Sequence, residues 1–248
     1  MTIGDAVSSS ATPRVPIDRI GATVLKELVE TIVSGQIHPG DALPPEAVLS
    51  QEFGVSRTVI RESVKRLQEK GMVTVAQGRG THVNPMSSWN LLDPLVISSL
   101  IGHDDALGIL DDLSVVRGAL EAAMAGAVAA KRTSDDLARL TASFEQMESV
   151  LHDSAAYRDA DVRFHLLVMQ LSGNILAENV AHGLFERALE SSRYHGVDPA
   201  QAFEITHAEH QRIFDAIVAG DREAARQAME AHILGSWDRR RLPTHPRD

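Results

Sequence analysis

Residues 49–71 read LSQEFGVSRTVIRESVKRLQEKG and contain the most specific pattern in the chain. Gly54 allows a sharp turn between two helices, and apolar side chains recur at three- and four-residue spacing on either side of it. The predicted packing residues are Leu49, Phe53, Val55, Ile60, Val64 and Leu67. A glycine turn, an apolar packing face and a polar outer face on the second helix are what a helix-turn-helix requires, and the segment therefore predicts one.

The segments on both sides extend this prediction. Helical spacing of apolar residues over 20–34 predicts a first helix, and two prolines open a second helix over 44–53. Residues 73–83 alternate between apolar and polar around the tight turn Gly78–Gly80, a pattern that predicts a β-hairpin. Three helices followed by a hairpin is the order of a winged helix-turn-helix, which we predict over residues 14–85.

The polar face of the third predicted helix suits the major groove of DNA. Arginine makes bidentate contacts to guanine, and hydroxyl groups near a helix N-terminus bond phosphates. The alternative is an ordinary solvated face on which basic residues alternate with Glu62 and Glu69, but the order of the surrounding elements favours DNA. The predicted contacts are Ser56, Arg57, Thr58, Arg61 and Lys65 on the helix and Gly78, Arg79, Gly80 and Thr81 in the wing, near the minor groove or its phosphates.

The charge of the chain is unevenly distributed. The net charge is −10 over 248 residues, yet residues 14–85 hold 9 lysines and arginines against 8 acidic residues. Residues 86–248 hold 15 basic residues against 25 acidic ones. Because phosphate binding depends on a local basic face, the acidic second part does not exclude nucleic acid. It indicates only that the second part is not the DNA contact.

Beyond residue 90 the sequence contains helical patterns and no strand signal. The predicted fold class is therefore mainly α: a winged helix-turn-helix, then an all-α bundle of six to seven helices over 91–242. Residues 1–13 are predicted to be a disordered leader, 86–90 a short polar linker and 243–248 a tail. No export signal or membrane span is recognised, which predicts a cytoplasmic protein without a membrane partner.

Histidines and carboxylates form a candidate metal site in the helical part. The chain has no cysteine, so a metal must be held by nitrogen and oxygen ligands. Asp161 and His165 lie four residues apart, and His210 and His232 lie on later predicted helices. A bundle can direct these four side chains to one point, which gives a set suited to Zn²⁺, Ni²⁺ or a similar ion. The alternative is that they are separate surface or core residues, since 11 histidines form some helical pairs by chance.

Residues 40–83 resemble the DNA-binding domain of GntR-family repressors, and the helical part resembles the FadR subgroup, whose ligand-sensing domain is called FCD. The resemblance implies a repressor that binds a pseudo-palindromic operator as a homodimer and is released by a small carboxylate effector. It also implies DNA contacts from Arg57, Arg61 and the wing 78–81. One departure is Ala47, where family members commonly carry an arginine, so the operator sequence stays open.

The resemblance also implies how the helical domain binds its ligands. Metal-binding FCD domains use an Asp-x-x-x-His pair and two later histidines, a pattern that Asp161, His165, His210 and His232 match. The implied cofactor is a divalent metal, zinc first, with nickel or another transition metal as the alternative. His207 is then expected either beside the ligands or exposed.

Residues for the effector are predicted less directly. Arg117 stands where the family carries an arginine that faces the effector and pairs bidentately with a carboxylate. The alternative is a surface ion pair with Glu121, four residues on. Arg163 and Asn174 are further candidates.

The stretch 89–94, WNLLDP, resembles one in members that respond to sugar acids such as galactonate or gluconate. Alternatively, Trp89 and Leu92 simply dock the linker onto the bundle.

Two other functions are compatible with these residues. A metal-dependent enzyme could use the same histidines, although no adjacent general base is recognised in the sequence. A DNA-binding protein without an effector is the second alternative, but it gives the acidic bundle and its histidines no purpose.

Overall fold

The computed structural model describes residues 17–105, 108–191 and 201–241. The predicted leader 1–13 and tail 243–248 lie outside the described residues. Two compact units separate between Asn90 and Leu91. Within the described residues the predicted fold class is confirmed, because the first unit has three helices and a hairpin and the second has seven helices.

The first unit is a winged helix-turn-helix. Its elements are α1 (Ile17–Val33), α2 (Glu46–Glu52), α3 (Arg57–Glu69), β1 (Val73–Ala76) and β2 (Gly80–Val83). Gly54 adopts a φ of 63° at the turn, and the Ser56 hydroxyl accepts a hydrogen bond from the Val59 N–H at the start of α3. Leu28, Ile60 and Leu67 are buried where α1 and α3 pack. One face of α3 is thereby fixed in the core and the opposite face is left to solvent.

The wing is broader than the hairpin that the sequence predicted. β1 and β2 pair antiparallel, with Val73 opposite Val83. The chain before α2 also bonds to β2, since the Leu43 N–H donates to the Thr81 carbonyl at 2.8 Å and Ala42 bridges to His82. These bonds fix the position of the wing relative to α2.

The predicted linker is a folded turn in the first unit. Residues Met86–Ser88 form a 3₁₀ turn, and Trp89 is buried with its indole N–H donating to the Asn84 carbonyl at 2.9 Å. Leu92 is 58% exposed. The bond that anchors Trp89 is thus made within the winged helix-turn-helix.

The second unit is a helical bundle built around one apolar helix. Its helices are α4 (Pro94–His103), α5 (Gly108–Lys131), α6 (Ser134–Ser149), α7 (Ser154–Leu171), α8 (Ile175–Glu190), α9 (Ala202–Ala219) and α10 (Arg222–Arg240). Helix α5 contacts α4, α7, α8, α9 and α10. Gly126 allows its close approach to α10, because a Cβ there would lie 3.1 Å from the Arg222 carbonyl oxygen.

Helix α5 is apolar but lies in the core of the second unit. By length and composition alone it could cross a membrane, with a mean hydropathy of 1.4 over 18 residues. However, 61% of this 18-residue stretch is buried inside the unit. This is the environment of a core helix, and it places two charged residues, Arg117 and Glu121, in the interior.

Gly71 is predicted to be essential for the folded turn. Its φ is 72°, and a Cβ there would overlap the Ser88 carbonyl oxygen. We expect Gly71→Ala to destabilise the first unit by about 2 kcal/mol or more beyond the matched control Gly35→Ala, which has a φ of 76° but no atom within 4 Å of the added Cβ. Urea unfolding in a Trp237→Phe background, with Trp89 as the fluorescent probe, measures the difference. Equal losses in the two variants would show that the contact with Ser88 relaxes freely.

Candidate functional site

The structure brings the four predicted metal ligands together. Asp161 and His165 lie on α7, His210 on α9 and His232 on α10, with one ligand atom of each within 4.8 Å of all the others. The Nε2 atom of His165 lies 3.1 Å from that of His232 and 3.2 Å from that of His210. Asp161 Oδ1 lies 3.4 Å from His210 Nε2. Three helices thus direct three imidazoles and one carboxylate to a single point in the bundle.

The other ring nitrogen of each histidine faces an acceptor. His165 Nδ1 lies 2.7 Å from Glu121, and His232 Nδ1 lies 2.9 Å from Glu209. His210 Nδ1 lies 2.9 Å from the Thr206 carbonyl oxygen, which can only accept. Each Nδ1 must therefore donate its proton outward. Every Nε2 of a neutral ring then directs a lone pair at the shared centre.

Burial favours the neutral form of His210 and His232, whereas hydrogen bonds and nearby cations keep Glu121 and Glu209 ionised. Burial lowers the pKa of His210 well below its usual value, and His232 and His165 lower it further. Burial also lowers the pKa of His232, against the opposing hydrogen bond to Glu209. For Glu121, burial raises the pKa, but Arg117 and His165 outweigh it and bring the pKa to about 2. The site is therefore a cluster of electron-pair donors within a shell of ionised carboxylates.

This donor set fits a divalent metal ion. Three lone pairs directed at one another repel unless a cation lies between them. Two nitrogens bound to one ion at about 2.0–2.1 Å lie about 3.0–3.4 Å apart at ordinary coordination angles, and the observed 3.1 and 3.2 Å agree with that range. The group could therefore hold a metal ion with little rearrangement.

Two glutamates complete this site; the sequence named Glu121 only as a partner of Arg117 and did not single out Glu209. Glu121 accepts from His165 and is also ion-paired with Arg117 at 2.7 Å, with both side chains buried. Glu209 accepts from His232 and from a fork of two N–H groups of Arg239, at 2.7 and 2.8 Å. The available signals were weak: Glu121 stands four residues from Arg117, and Glu209 directly precedes a ligand. Neither spacing shows that Glu121 accepts from His165 or that Glu209 accepts from His232.

Arg117 makes the ion pair with Glu121, but in the core and not on the surface. Its guanidinium carbon also lies 3.7 Å from the ring centre of Phe185. Phe185 in turn lines a cavity next to the metal group, so Arg117 lies behind the wall of that cavity.

The cavity beside the metal group has a volume of about 400 Å³. Its charged lining residues are two arginines, Arg158 and Arg240, and two aspartates, Asp159 and Asp161. Both arginines also border a narrower cleft with Arg239. Tyr157 lines that cleft, and its buried hydroxyl has no hydrogen-bond partner among the described residues. Burial raises the pKa of Tyr157 above its usual range, so the hydroxyl is a neutral donor. The space next to the ligands thus presents guanidinium groups beside carboxylates, and the adjoining cleft contains a buried hydroxyl without a partner among the described residues. Sequence spacing did not reveal this feature.

The other candidate residues of the helical unit lie elsewhere. Arg163 and Asn174 are exposed, and the Asn174 side chain caps α8 by accepting from the Ala177 N–H at 3.1 Å. His207 is neither exposed nor part of the metal group. Its ring stacks on Phe144 with centres 4.9 Å apart, and burial lowers its pKa. Of the three predicted effector residues, only Arg117 is therefore buried.

The predicted DNA contacts form an exposed surface of the first unit. Ser56, Arg57, Thr58, Arg61 and Lys65 are exposed on α3, as are Gly78, Arg79 and Gly80 in the wing, whereas Thr81 is half-buried. Arg61 is ion-paired: its Nη2 lies 3.0 Å from Glu46 Oε2 and its Nε lies 3.4 Å from Oε1. Glu46, the first residue of α2, was not singled out in the sequence, because only the fold places it beside α3.

Both parts of the chain match known protein families. Residues 21–83 match the family described as bacterial regulatory proteins, gntR family, and residues 112–235 match the FCD domain.

Similar proteins span nearly the whole chain. The galactonate operon transcriptional repressor of Escherichia coli (strain K12) is 34% identical over 90% of this chain and 95% of its own. The HTH-type transcriptional regulator LutR of Bacillus subtilis (strain 168) is 31% identical, over 84% and 94%. Among solved structures, Lar, which controls the Listeria monocytogenes agr system, has a TM-score of 0.55 at 22% identity and covers 88% of this chain and 95% of its own, a likeness of fold alone.

The lowered histidine pKa values predict how the metal-free protein responds to acid. As the pH falls below about 6.5, the unfolded chain takes up protons on His210 and His232 before the folded chain does. The free energy of unfolding must therefore decrease. We expect a loss of about 1.4 kcal/mol per pH unit for each histidine that stays neutral in this window. Urea unfolding in the presence of a chelator between pH 7.5 and 5.5 measures this slope. His210→Gln should reduce it and the exposed control His152→Gln should not; a stability that is constant or rises on acidification would contradict the assignment.

Proposed function

Because the chain belongs to the GntR family of bacterial regulatory proteins and carries an FCD domain, we propose that it is a transcriptional repressor released from its operator by a small carboxylate. That it is a DNA-binding regulator and not an enzyme follows from the family and from relatives named as regulators. This removes the metal-dependent enzyme as an alternative. The observation that carries the finer proposal is the cavity beside the metal group, which is lined by Arg158 and Arg240.

The DNA-binding part of the proposal uses the exposed face of α3. Arg57 and Arg61 contact base edges in the major groove, while Ser56, Thr58 and Lys65 contact the backbone. Arg79 and its neighbours in the wing reach the adjacent minor groove or its phosphates. A homodimer places two such helices in successive major grooves, so that the operator is pseudo-palindromic. The protein acts in the cytoplasm and has no membrane partner.

A divalent metal is held by Asp161, His165, His210 and His232, with zinc as the first choice and nickel or another transition metal as the alternative. The metal supplies a positive charge and open coordination positions that attract a carboxylate. Glu121, Glu209 and the Thr206 carbonyl fix the three rings so that their lone pairs point inward. These partners hold the site in shape without contributing ligands of their own.

The effector proposed is a small hydroxylated carboxylate, such as a sugar acid. Arg158 and Arg240 line the cavity and Arg239 lines the adjoining cleft, where their guanidinium groups can pair with a carboxylate. The Tyr157 hydroxyl, which has no partner among the described residues, suits an oxygen-bearing ligand. The similarity to a galactonate operon repressor, and the WNLLDP stretch, support a sugar acid. Arg117 acts through Glu121 and Phe185 from behind the cavity wall. Arg163 and Asn174 have no part in this proposal.

Release of the operator requires the effector to bind one state of the protein better than the other. The arginines of the cavity lie on α7 and α10, which also carry three of the four metal ligands. An acid bound there changes the packing of these helices and, in the dimer, the spacing of the two DNA-binding heads. The rival without an effector predicts an operator affinity that no small acid changes.

The proposal is tested by the affinity of the metal-loaded protein for DNA from its own upstream region. Fluorescence anisotropy at constant salt is measured with a panel of aldonic and simple hydroxy acids. We expect one sugar acid to weaken binding at least tenfold, with no effect on a variant carrying Arg158→Met and Arg240→Met. Arg163→Met serves as the exposed control and should respond as the wild type does. Specific binding that no acid in the panel changes would favour the effector-independent alternative.

A further inference from the structure

The fork between Arg61 and Glu46 joins the recognition helix α3 to the start of α2. We propose that Glu46 is a positioning residue for operator recognition, which holds the Arg61 guanidinium so that its free end pairs with a guanine. The inference rests on the proposed function, because it needs DNA in front of α3. It assigns a role to an acidic residue on a surface where basic residues would otherwise be favoured.

The geometry of the fork leaves a complete recognition edge free. A guanidinium has five N–H groups in a plane, arranged as a side edge (Nε and Nη2) and an end edge (Nη1 and Nη2). Glu46 accepts from the side edge, at 3.4 Å to Nε and 3.0 Å to Nη2. The two parallel N–H groups of the end edge remain outside this fork. They match O6 and N7 of guanine, the acceptors that arginine reads in the major groove.

Folding stability does not account for this pair. The Arg61 and Glu46 side chains are 70% and 39% exposed, and exposed ion pairs contribute little to the stability of a protein. What the pair does is restrict the rotamers of a long side chain before DNA arrives. A restrained arginine loses less freedom on meeting its base than an unrestrained one. The expected effect is therefore on recognition and not on unfolding.

Electrostatics alone predicts the opposite result for a Glu46 variant. A carboxylate beside the DNA-binding face repels phosphates, so its removal should strengthen binding to any DNA. If Glu46 positions Arg61, its removal should instead weaken discrimination between the operator and other sequences. The two effects differ in the ratio of specific to non-specific affinity, which a single assay provides.

The experiment uses the full-length, metal-loaded chain and an operator that the wild type selects from a random duplex library. Anisotropy gives the affinity for this operator and for a scrambled duplex at one salt concentration. We expect Glu46→Gln to reduce the ratio of the two affinities about fivefold or more, at the lower end of what one bidentate base contact contributes. Binding to the scrambled duplex should be unchanged or tighter, and urea unfolding should be unchanged.

Two further variants make the result specific to the fork. Glu62→Gln removes the same charge next to Arg61 without touching the fork, and should leave the affinity ratio unchanged. In an Arg61→Met background, Glu46→Gln should cause no further loss of discrimination, because the side chain that it positions is gone.

Three outcomes would overturn the inference. If Glu46→Gln strengthens binding to both duplexes equally, as Glu62→Gln does, Glu46 only repels phosphates. If it reduces discrimination equally in the Arg61→Met background, Glu46 contacts DNA by itself. If the wild type selects no sequence from the library, the proposed function fails and the inference fails with it; a selected operator with an unchanged ratio removes the inference alone.

Discussion

The structure of the second unit depends on the meeting of three imidazole lone pairs at one buried point. Each ring comes from a different helix, and each Nδ1 proton is accepted by Glu121, Glu209 or the Thr206 carbonyl. Glu121 lies on α5, and Glu209 and Thr206 lie on α9. Glu121 is ion-paired with Arg117, and Glu209 with Arg239. The positions of α5, α7, α9 and α10 are therefore fixed together, and a shift of one helix disturbs the bonds made by the others.

This arrangement introduces charge into an otherwise apolar bundle. Arg117 and Glu121 are buried on the central helix α5, and such pairs give stability only when every donor and acceptor is satisfied. Hydrogen bonds connect the metal group to the cleft beside it, because Arg239 both donates to Glu209 and lines the cleft. In the proposed function, an anionic effector competes with Glu209 for Arg239, which orients a metal ligand through that glutamate.

The sequence predicted the architecture well because local signals agreed with the packing. Ser56 caps α3 as expected, Gly54 makes the turn, and the apolar spacing of 49–71 matches the buried side of the helix-turn-helix. The i, i+4 spacing also selected Asp161 and His165, because it reports which side chains share a helix face. His210 and His232 were added by the resemblance to metal-binding FCD domains, and the structure brings all four residues together. Contacts between helices carry no such signal: Glu46 beside Arg61, and Glu209 beside His232, became visible only in the fold.

The same limit explains the sequence-based candidates that lie elsewhere. Asn174 suits a helix start as well as a ligand, and it caps α8. His207, three residues from a ligand, turns towards Phe144, because one helix face can meet only one set of neighbours. The folded turn at 86–88 escaped detection because its cause is the close approach of Gly71 to Ser88, which is distant in sequence.

If the three lone pairs require a cation, the affinity of the protein for zinc tests this most directly. Competition with a chromophoric chelator should give one ion per chain for the wild type and for His207→Ala, and none for His165→Ala. Glu209→Gln should bind zinc about 10- to 100-fold more weakly, because a ligand loses the partner that orients it. A wild type that binds no ion, or a His165→Ala variant that keeps stoichiometric zinc with unchanged affinity, would contradict the account.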